Sequence, residues 1–132
     1  MDAHVRHILG LQAPSLIIYE VANAVLMACR RRRLPNDAAD AIFERVIGLN
    51  IACFAADARV ALALARRYGC TAYDASYLAL AQQHGLQLVT ADRRLYTAVA
   101  GELPWVIWIG EWEQHITLEP PGEDRADTLE TQ

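Results

Sequence analysis

The apolar residues of the chain follow two different spacings. Some stretches repeat apolar residues every three or four positions, as amphipathic helices do, and others are short and almost continuously apolar, as buried strands are. The first pattern predicts helices at residues 14–32, 36–47, 57–69, 71–85 and 93–100. The second pattern predicts strands at residues 49–54, 86–90 and 105–109. Strands that alternate with helices are typical of a parallel sheet covered by helices, so the sequence predicts an α/β fold.

Two of the predicted helices carry start and stop signals at both ends. Asp57 is the predicted N-cap of one helix, and Gly69 follows its last turn. Thr71 is the predicted N-cap of the next helix, with Asp74 three residues later and Gly85 at its end. We interpret Asp57, which follows a predicted strand, as an N-cap rather than as a metal ligand.

The chain changes character near residue 117. Residues 118–132 contain five acids and one arginine and show no apolar periodicity, which is typical of a disordered segment. We therefore expect one domain over residues 1–117 and an acidic, disordered tail over residues 118–132. Because the preceding residues contain eleven acids and eleven arginines, bulk charge does not indicate a nucleic-acid partner, and such binding would need a local patch.

The composition indicates a soluble, cytoplasmic protein. The chain has 132 residues, of which 54% are hydrophobic and 21% charged, as in ordinary globular domains. The longest apolar stretch, residues 13–29, is interrupted by Glu20 and is a poor membrane span. An odd number of cysteines, three, without metal-type spacing is typical of a reducing compartment.

One carboxylate stands where burial should disfavour it. Glu20 falls within an apolar stripe of the first predicted helix, one turn from its neighbours, with Asn23 beside it. The stripe comprises Ile17, Val21, Ala24 and Ala28. A carboxylate on a core-facing stripe is costly unless it is paired or binds a cation. The alternative is a boundary glutamate that reaches solvent or pairs with an arginine.

Asp74 and Asp92 each have a local explanation, but together they indicate a site. Asp74 lies in the first turn of a helix, where the helix dipole stabilises it, and Asp92 is placed to cap the helix that begins at Arg93. Asp92 also follows the C-terminal end of a strand, and the helix of Asp74 begins at that same edge. Two aspartates and a glutamate would form an oxygen-rich site suited to Mg²⁺ or Mn²⁺.

Three sequence blocks resemble the PIN-domain nucleases, especially the VapC-type toxins of toxin–antitoxin pairs. The blocks are Ala13-Pro14-Ser15-Leu16 through Glu20-Val21-Ala22-Asn23, then Tyr73-Asp74-Ala75, then Leu88-Val89-Thr90-Ala91-Asp92-Arg93-Arg94-Leu95. The resemblance extends over about residues 5–110. It implies a three-layer α/β/α domain with a short parallel sheet that hydrolyses RNA in a Mg²⁺-dependent (or Mn²⁺-dependent) reaction.

The resemblance also implies roles for particular residues. Glu20, Asp74 and Asp92 correspond to the catalytic, metal-coordinating acids, and Asn23 and Thr90 to supporting polar positions. Such proteins act on RNA, are held inactive by a small antitoxin protein and tend to form homodimers. In this chain Arg93 and Arg94, next to Asp92, are the candidates for contact with RNA, since arginine binds phosphate through two donors at once.

The chain departs from the family pattern at its N-terminus. The family begins with a strand that ends in a further aspartate, and neither precedes the Glu20 block here. Three explanations are open: an upstream start, a degenerate copy, or compensation by a partner chain. The alternative to a nuclease is therefore a truncated, catalytically inactive PIN-like module that binds a partner or RNA.

Overall fold

The computed structural model of the chain describes residues 10–112. In that range the chain forms four short strands, five helices and a final 3₁₀ turn. The strands are β1 (Gln12–Pro14), β2 (Ala52–Phe54), β3 (Leu88–Thr90) and β4 (Val106–Trp108). The helices are α1 (Ile17–Arg30), α2 (Asn36–Ile47), α3 (Ala58–Tyr68), α4 (Ala72–His84) and α5 (Arg93–Val99). The predicted α/β class is confirmed.

Strand β1 was not predicted from the sequence, and the expected helix start at Pro14 is wrong. Residues 12–14 pair in parallel with β2, with Ala13 opposite Cys53. The Ser15 amide continues the ladder by donating to the Phe54 carbonyl at 3.0 Å. Because the pairing with β2 extends through Pro14 to the Ser15 amide, the helix begins only at Ile17.

The strands form two separate parallel pairs instead of the single sheet that we expected. Strand β1 pairs with β2, and β3 pairs with β4, with Thr90 opposite Trp108. Within the described range no strand joins β1 to β3. Helix α4 packs against both β1 and β3, so a helix connects the two half-sheets.

Helix α4 is the centre of the hydrophobic core. Six of its residues are buried, and Ala75, Leu78 and Ala79 have no exposed surface. One face of α4 packs against the alanines of α3, and another packs against α5 and β4 around Val99. The sequence did not decide whether three residues of α3 face the core or a partner protein. The structure packs them against these two clusters: Val60, Leu64 and Tyr68.

The predicted core-facing stripe of α1 is wrong. Helix α1 has no fully buried residue, and it packs mainly against α2. Its apolar residues are therefore covered on one side only, and Tyr19 is 79% exposed. The periodicity was a correct indication of a helix but not of how deeply that helix is packed.

Two expectations about the whole chain have different outcomes. The predicted boundary at residue 117 and the tail lie outside the described residues. No helix in the described part of the chain is both long enough and apolar enough to span a membrane.

Candidate acidic site

Asp74 is held at the start of α4 by local capping. The Thr71 Oγ1 accepts a hydrogen bond from the Asp74 amide at 3.0 Å, as the sequence predicted. The chain leaves α4 at Gly85, whose φ of 62° is easy only for glycine. Asp74 itself is half-buried in the first turn of the helix. The carboxylate thus lies at the helix end where the backbone N–H groups favour negative charge.

Glu20 lies in the first turn of α1, just after the end of β1. Although the residue is exposed by surface area, partial burial of its carboxyl group raises its pKa above the ordinary 4.5. The charge of Asp74 raises that pKa further, and a hydrogen-bonding interaction with the Tyr77 side chain opposes the rise. The Glu20 carboxyl group therefore lies within electrostatic reach of Asp74 and Tyr77 on α4.

Tyr77 joins Glu20 and Asp74 in one electrostatic group. Burial raises the pKa of the Tyr77 hydroxyl, and the negative charges of Glu20 and Asp74 raise it further. The raised pKa keeps the hydroxyl protonated, so it remains available as a hydrogen-bond donor. Tyr77 was not identified from the sequence; the signal for it was its position one turn after Asp74 on the same helix.

Asp92 follows β3 and caps α5. Its Oδ1 accepts from the Arg94 amide at 2.9 Å and from the Leu95 amide at 3.1 Å. Its own amide donates to Thr90 Oγ1 at 3.0 Å. The local N-cap explanation is thus correct, and both capping bonds use one of the two carboxylate oxygens. The supporting role of Thr90 stays a prediction.

The structure brings two of the three candidate acids together. Glu20 and Asp74 interact electrostatically, and Asp92 is not among the groups that shift the pKa of Glu20. Across residues 10–112, no three acidic, histidine or cysteine side chains converge closely enough to hold a metal ion. Asn23 lies exposed on α1, one turn after Glu20. Asp57 caps α3 through the amides of Arg59 and Val60, so its N-cap prediction is confirmed.

A shallow, mostly apolar cleft adjoins Asp74. It has a volume of about 340 Å³ and lies where β1 and β2 end and α4 begins. Its lining includes Pro14, Phe54, Tyr73 and Ser76. Neither Glu20 nor Asp74 is among the residues that line it.

The two candidate arginines are exposed at the start of α5. Arg93 lies over the ring of Trp108, with its guanidinium carbon 4.3 Å from the ring centroid. Arg94 contributes its backbone amide to the Asp92 cap. The two adjacent arginines therefore differ in how firmly their side chains are placed.

The fold and the order of the acids define a class of protein. A family model described as the PIN domain matches residues 6–101. The chain therefore belongs to the PIN-domain family.

Individual relatives come from the archaeon Pyrobaculum aerophilum. The chain is 38% identical over 89 residues to "Ribonuclease VapC3", an alignment that covers 64% of this chain and 68% of that protein. It is 32% identical over 102 residues to "Exonuclease VapC9", with 77% of each chain covered. The crystal structure of PAE2754 superposes with a TM-score of 0.69 at 29% identity and covers 84% of this chain and 80% of that one. The chain is thus similar to two VapC proteins in sequence and to PAE2754 in fold.

Proposed function

We propose that this protein is a metal-dependent endoribonuclease of the VapC type. The observation that carries the proposal is that Glu20 lies within electrostatic reach of Asp74, whose charge adds to partial burial in raising the pKa of Glu20. Two carboxylates held together in this way are stabilised when a cation binds between them. The similarity to a protein named ribonuclease supports RNA as the substrate.

The donor atoms present suit a hard divalent cation. Carboxylate oxygens are the ligands that Mg²⁺ and Mn²⁺ prefer, and the pair offers four of them. Glu20 and Asp74 would hold the ion, and Asp92 is proposed as the third ligand, through the oxygen that its cap leaves unused. When bound, the ion supplies an activated water and charge neutralisation at the scissile phosphate.

The protein's own residues orient these carboxylates. The interaction with the Tyr77 side chain favours the charged form of Glu20, and Thr71 fixes the first turn that carries Asp74. Thr90 holds the backbone of Asp92 by accepting its amide proton. Each proposed ligand therefore has a neighbouring polar group that restricts its position, as is common around metal sites.

Cleavage of RNA by the 132-residue chain tests the proposal. A single-stranded RNA labelled at one end is incubated with Mg²⁺ or Mn²⁺ and, in parallel, with EDTA. We expect internal cuts that require the metal and are lost in Asp74→Asn and Asp92→Asn. Equal cutting by wild-type protein and both variants would contradict the proposal, because it would indicate a contaminating nuclease.

A second function, a non-catalytic PIN-like module, is favoured by one specific observation. Three acids do not converge on a metal position within residues 10–112. Such a module would bind RNA or a protein partner without a divalent ion. It predicts RNA binding that is equal in EDTA and Mg²⁺, together with no cleavage above the level of Asp92→Asn.

We also propose that the chain pairs with an antitoxin protein and forms a homodimer. The support is the VapC naming of its relatives and a set of exposed apolar side chains on α1 and α2. These are Tyr19, Leu26, Ile42 and Ile47. Light scattering after size exclusion tests the homodimer, and a monomer at all concentrations would contradict it.

A further inference from the structure

A cluster around Trp108 stands at the same end of the strands as the proposed site. Trp108 ends β4 and lies opposite Thr90, the last residue of β3. Arg93 follows Asp92 directly and covers the Trp108 ring at 4.3 Å. Tyr96, one turn further along α5, packs against the same ring with centroids 5.7 Å apart and planes at 53°. The guanidinium group is thus held next to a proposed metal ligand.

Trp108 is itself fixed from another side. A Cβ atom added to Gly110 would lie 3.1 Å from Trp108 Nε1 and 3.2 Å from Cδ1, so a larger residue there would require the indole to shift. Trp108 is half-buried, whereas Arg93 is exposed. An indole packed in this way is a rigid base for the arginine, which keeps its N–H donors available to solvent.

We propose that Arg93, held over Trp108, binds a backbone phosphate of the RNA strand beside Asp92, and that Trp108 is the positioning residue for this contact. This inference rests on the proposed function for its substrate. A guanidinium pairs with phosphate oxygens through two N–H donors, and stacking on an aromatic ring leaves those donors free. We do not expect Arg94 to be the phosphate contact. Within residues 10–112, no aromatic ring lies under its guanidinium group as Trp108 lies under that of Arg93.

The chain offers a matched control for the arginine. Arg67 is also exposed and also lies near an aromatic ring, that of Tyr68, at 5.5 Å. It differs because it pairs with Glu102 at 2.9 Å, on the surface formed by α3 and the residues after α5. Arg67→Gln therefore removes the same charge as Arg93→Gln without affecting the proposed contact.

Binding of a fluorescent single-stranded RNA in EDTA, measured by anisotropy over a range of salt concentrations, tests the contact without cleavage. We expect Arg93→Gln to weaken binding roughly tenfold. We also expect it to reduce the slope of log affinity against log salt by about 0.7, the value for one lost phosphate contact in a single strand. Arg93→Lys should recover the salt slope but only part of the affinity, and Arg67→Gln should resemble wild type.

A double-mutant cycle tests the positioning role. Trp108→Leu should weaken binding about threefold, a typical contribution of an exposed cation–π contact. It should have no further effect when Arg93→Gln is already present, because Trp108 acts through the arginine. If Trp108→Leu weakens binding equally in both backgrounds, the indole contacts RNA directly and the positioning role is overturned. Should Trp108→Leu fail to fold, Gly110→Ala, which displaces the indole, replaces it in the cycle.

The remaining outcomes separate this inference from the proposed function. Binding that depends on Arg93 without any cleavage would support the phosphate contact and count against the nuclease. Metal-dependent cleavage with an unchanged KM and salt slope in Arg93→Gln would overturn the contact alone. A slope that falls in Arg94→Gln but not in Arg93→Gln would also overturn it, as would the absence of RNA binding by wild type.

Discussion

The backbone amide of Asp92 donates a hydrogen bond to the side-chain oxygen of Thr90, at 3.0 Å. This bond joins the end of β3 to the cap of α5 and restricts the carboxylate that we propose as a metal ligand. Thr90→Val keeps the shape of the side chain but removes the acceptor.

We expect Thr90→Val to lower both stability and metal affinity. The lost hydrogen bond should lower the free energy of unfolding by about 1 kcal/mol. Metal affinity should fall roughly tenfold, as for other residues that orient a ligand. Thr90→Ser, which keeps the hydroxyl, is the control. Mn²⁺ titration calorimetry and urea denaturation measure the two effects, and equal affinities for the valine and serine variants would contradict the orienting role.

Substitutions of Asp92 separate its cap from its charge. Asparagine is as good an N-cap as aspartate, so the free energy of unfolding of Asp92→Asn should lie within about 0.5 kcal/mol of the wild-type value. The same variant should lose metal-dependent cleavage. Asp92→Ala should lose the cleavage and also about 1 kcal/mol of stability. Circular dichroism in urea and the cleavage assay provide both measurements.

Asp57 supplies the matched control for this comparison. It caps α3 with bonds of 2.9 and 3.3 Å to Arg59 and Val60, much as Asp92 caps α5. Asp57→Ala should therefore lose about the same stability as Asp92→Ala but keep cleavage. If Asp57→Asn also abolished cleavage at unchanged stability, the assignment of Asp57 as a cap alone would be wrong.

The raised pKa of Glu20 makes stability depend on pH in a defined direction. In the folded chain the pKa of its carboxyl group lies above the ordinary value of 4.5. The larger cause is partial burial, and the charge of Asp74 adds to it. The neutral form thus stabilises the fold below pH 4.5, and this contribution is lost as pH rises through the folded pKa. Glu20→Gln should accordingly be more stable than wild type near neutral pH.

An NMR titration of the side-chain carboxyl carbons checks the cause of that shift. Asp74→Asn should lower the pKa of Glu20, because it removes a repelling charge, whereas Tyr77→Phe should raise it, because it removes the opposing hydrogen bond. Tyr73→Phe, at a side chain that is 71% exposed, should leave the titration unchanged. A Glu20 pKa that does not respond to Asp74→Asn would show that the two carboxylates are not neighbours.

Leu78 should be the most costly leucine to truncate. It is fully buried in α4 and packs in the same cluster as Val99. Leu78→Ala should lower the free energy of unfolding by about 2–5 kcal/mol, the usual range for a buried leucine. Leu62→Ala, where the side chain is 47% exposed, should cost under about 1 kcal/mol in the same urea titration. Similar costs at both positions would contradict the assignment of the core to α4.

Features set by neighbouring residues were predictable from the sequence, and features set by distant pairing were not. The caps at Asp57 and Thr71 and the stops at Gly69 and Gly85 depend on local backbone chemistry, and the structure has all four. Strand β1 depends on its pairing with residues about 40 positions later, so three residues ending in proline gave no local signal.

The candidate site shows the same limit. Glu20, Asp74 and Asp92 could be identified by their positions at element ends and by the family resemblance. Their mutual arrangement depends on how separate helices and strands pack together, which no periodicity specifies. Tyr77 and Trp108 were not assigned to the site for this reason, since each acts on a residue that another element carries.

The separation of β1 from β3 has a consequence for hydrogen exchange. The Leu88 amide donates to the Trp105 carbonyl, so it points towards β4. Because amides alternate in direction along a strand, the Val89 amide points away from β4, and the Val89 side chain is 45% exposed. Deuterium should therefore enter quickly at Val89 and slowly at Leu88, although the two residues are adjacent. A strand that paired with the other edge of β3 would slow exchange at the Val89 amide first. Exchange at this one amide therefore reports whether such a strand is present.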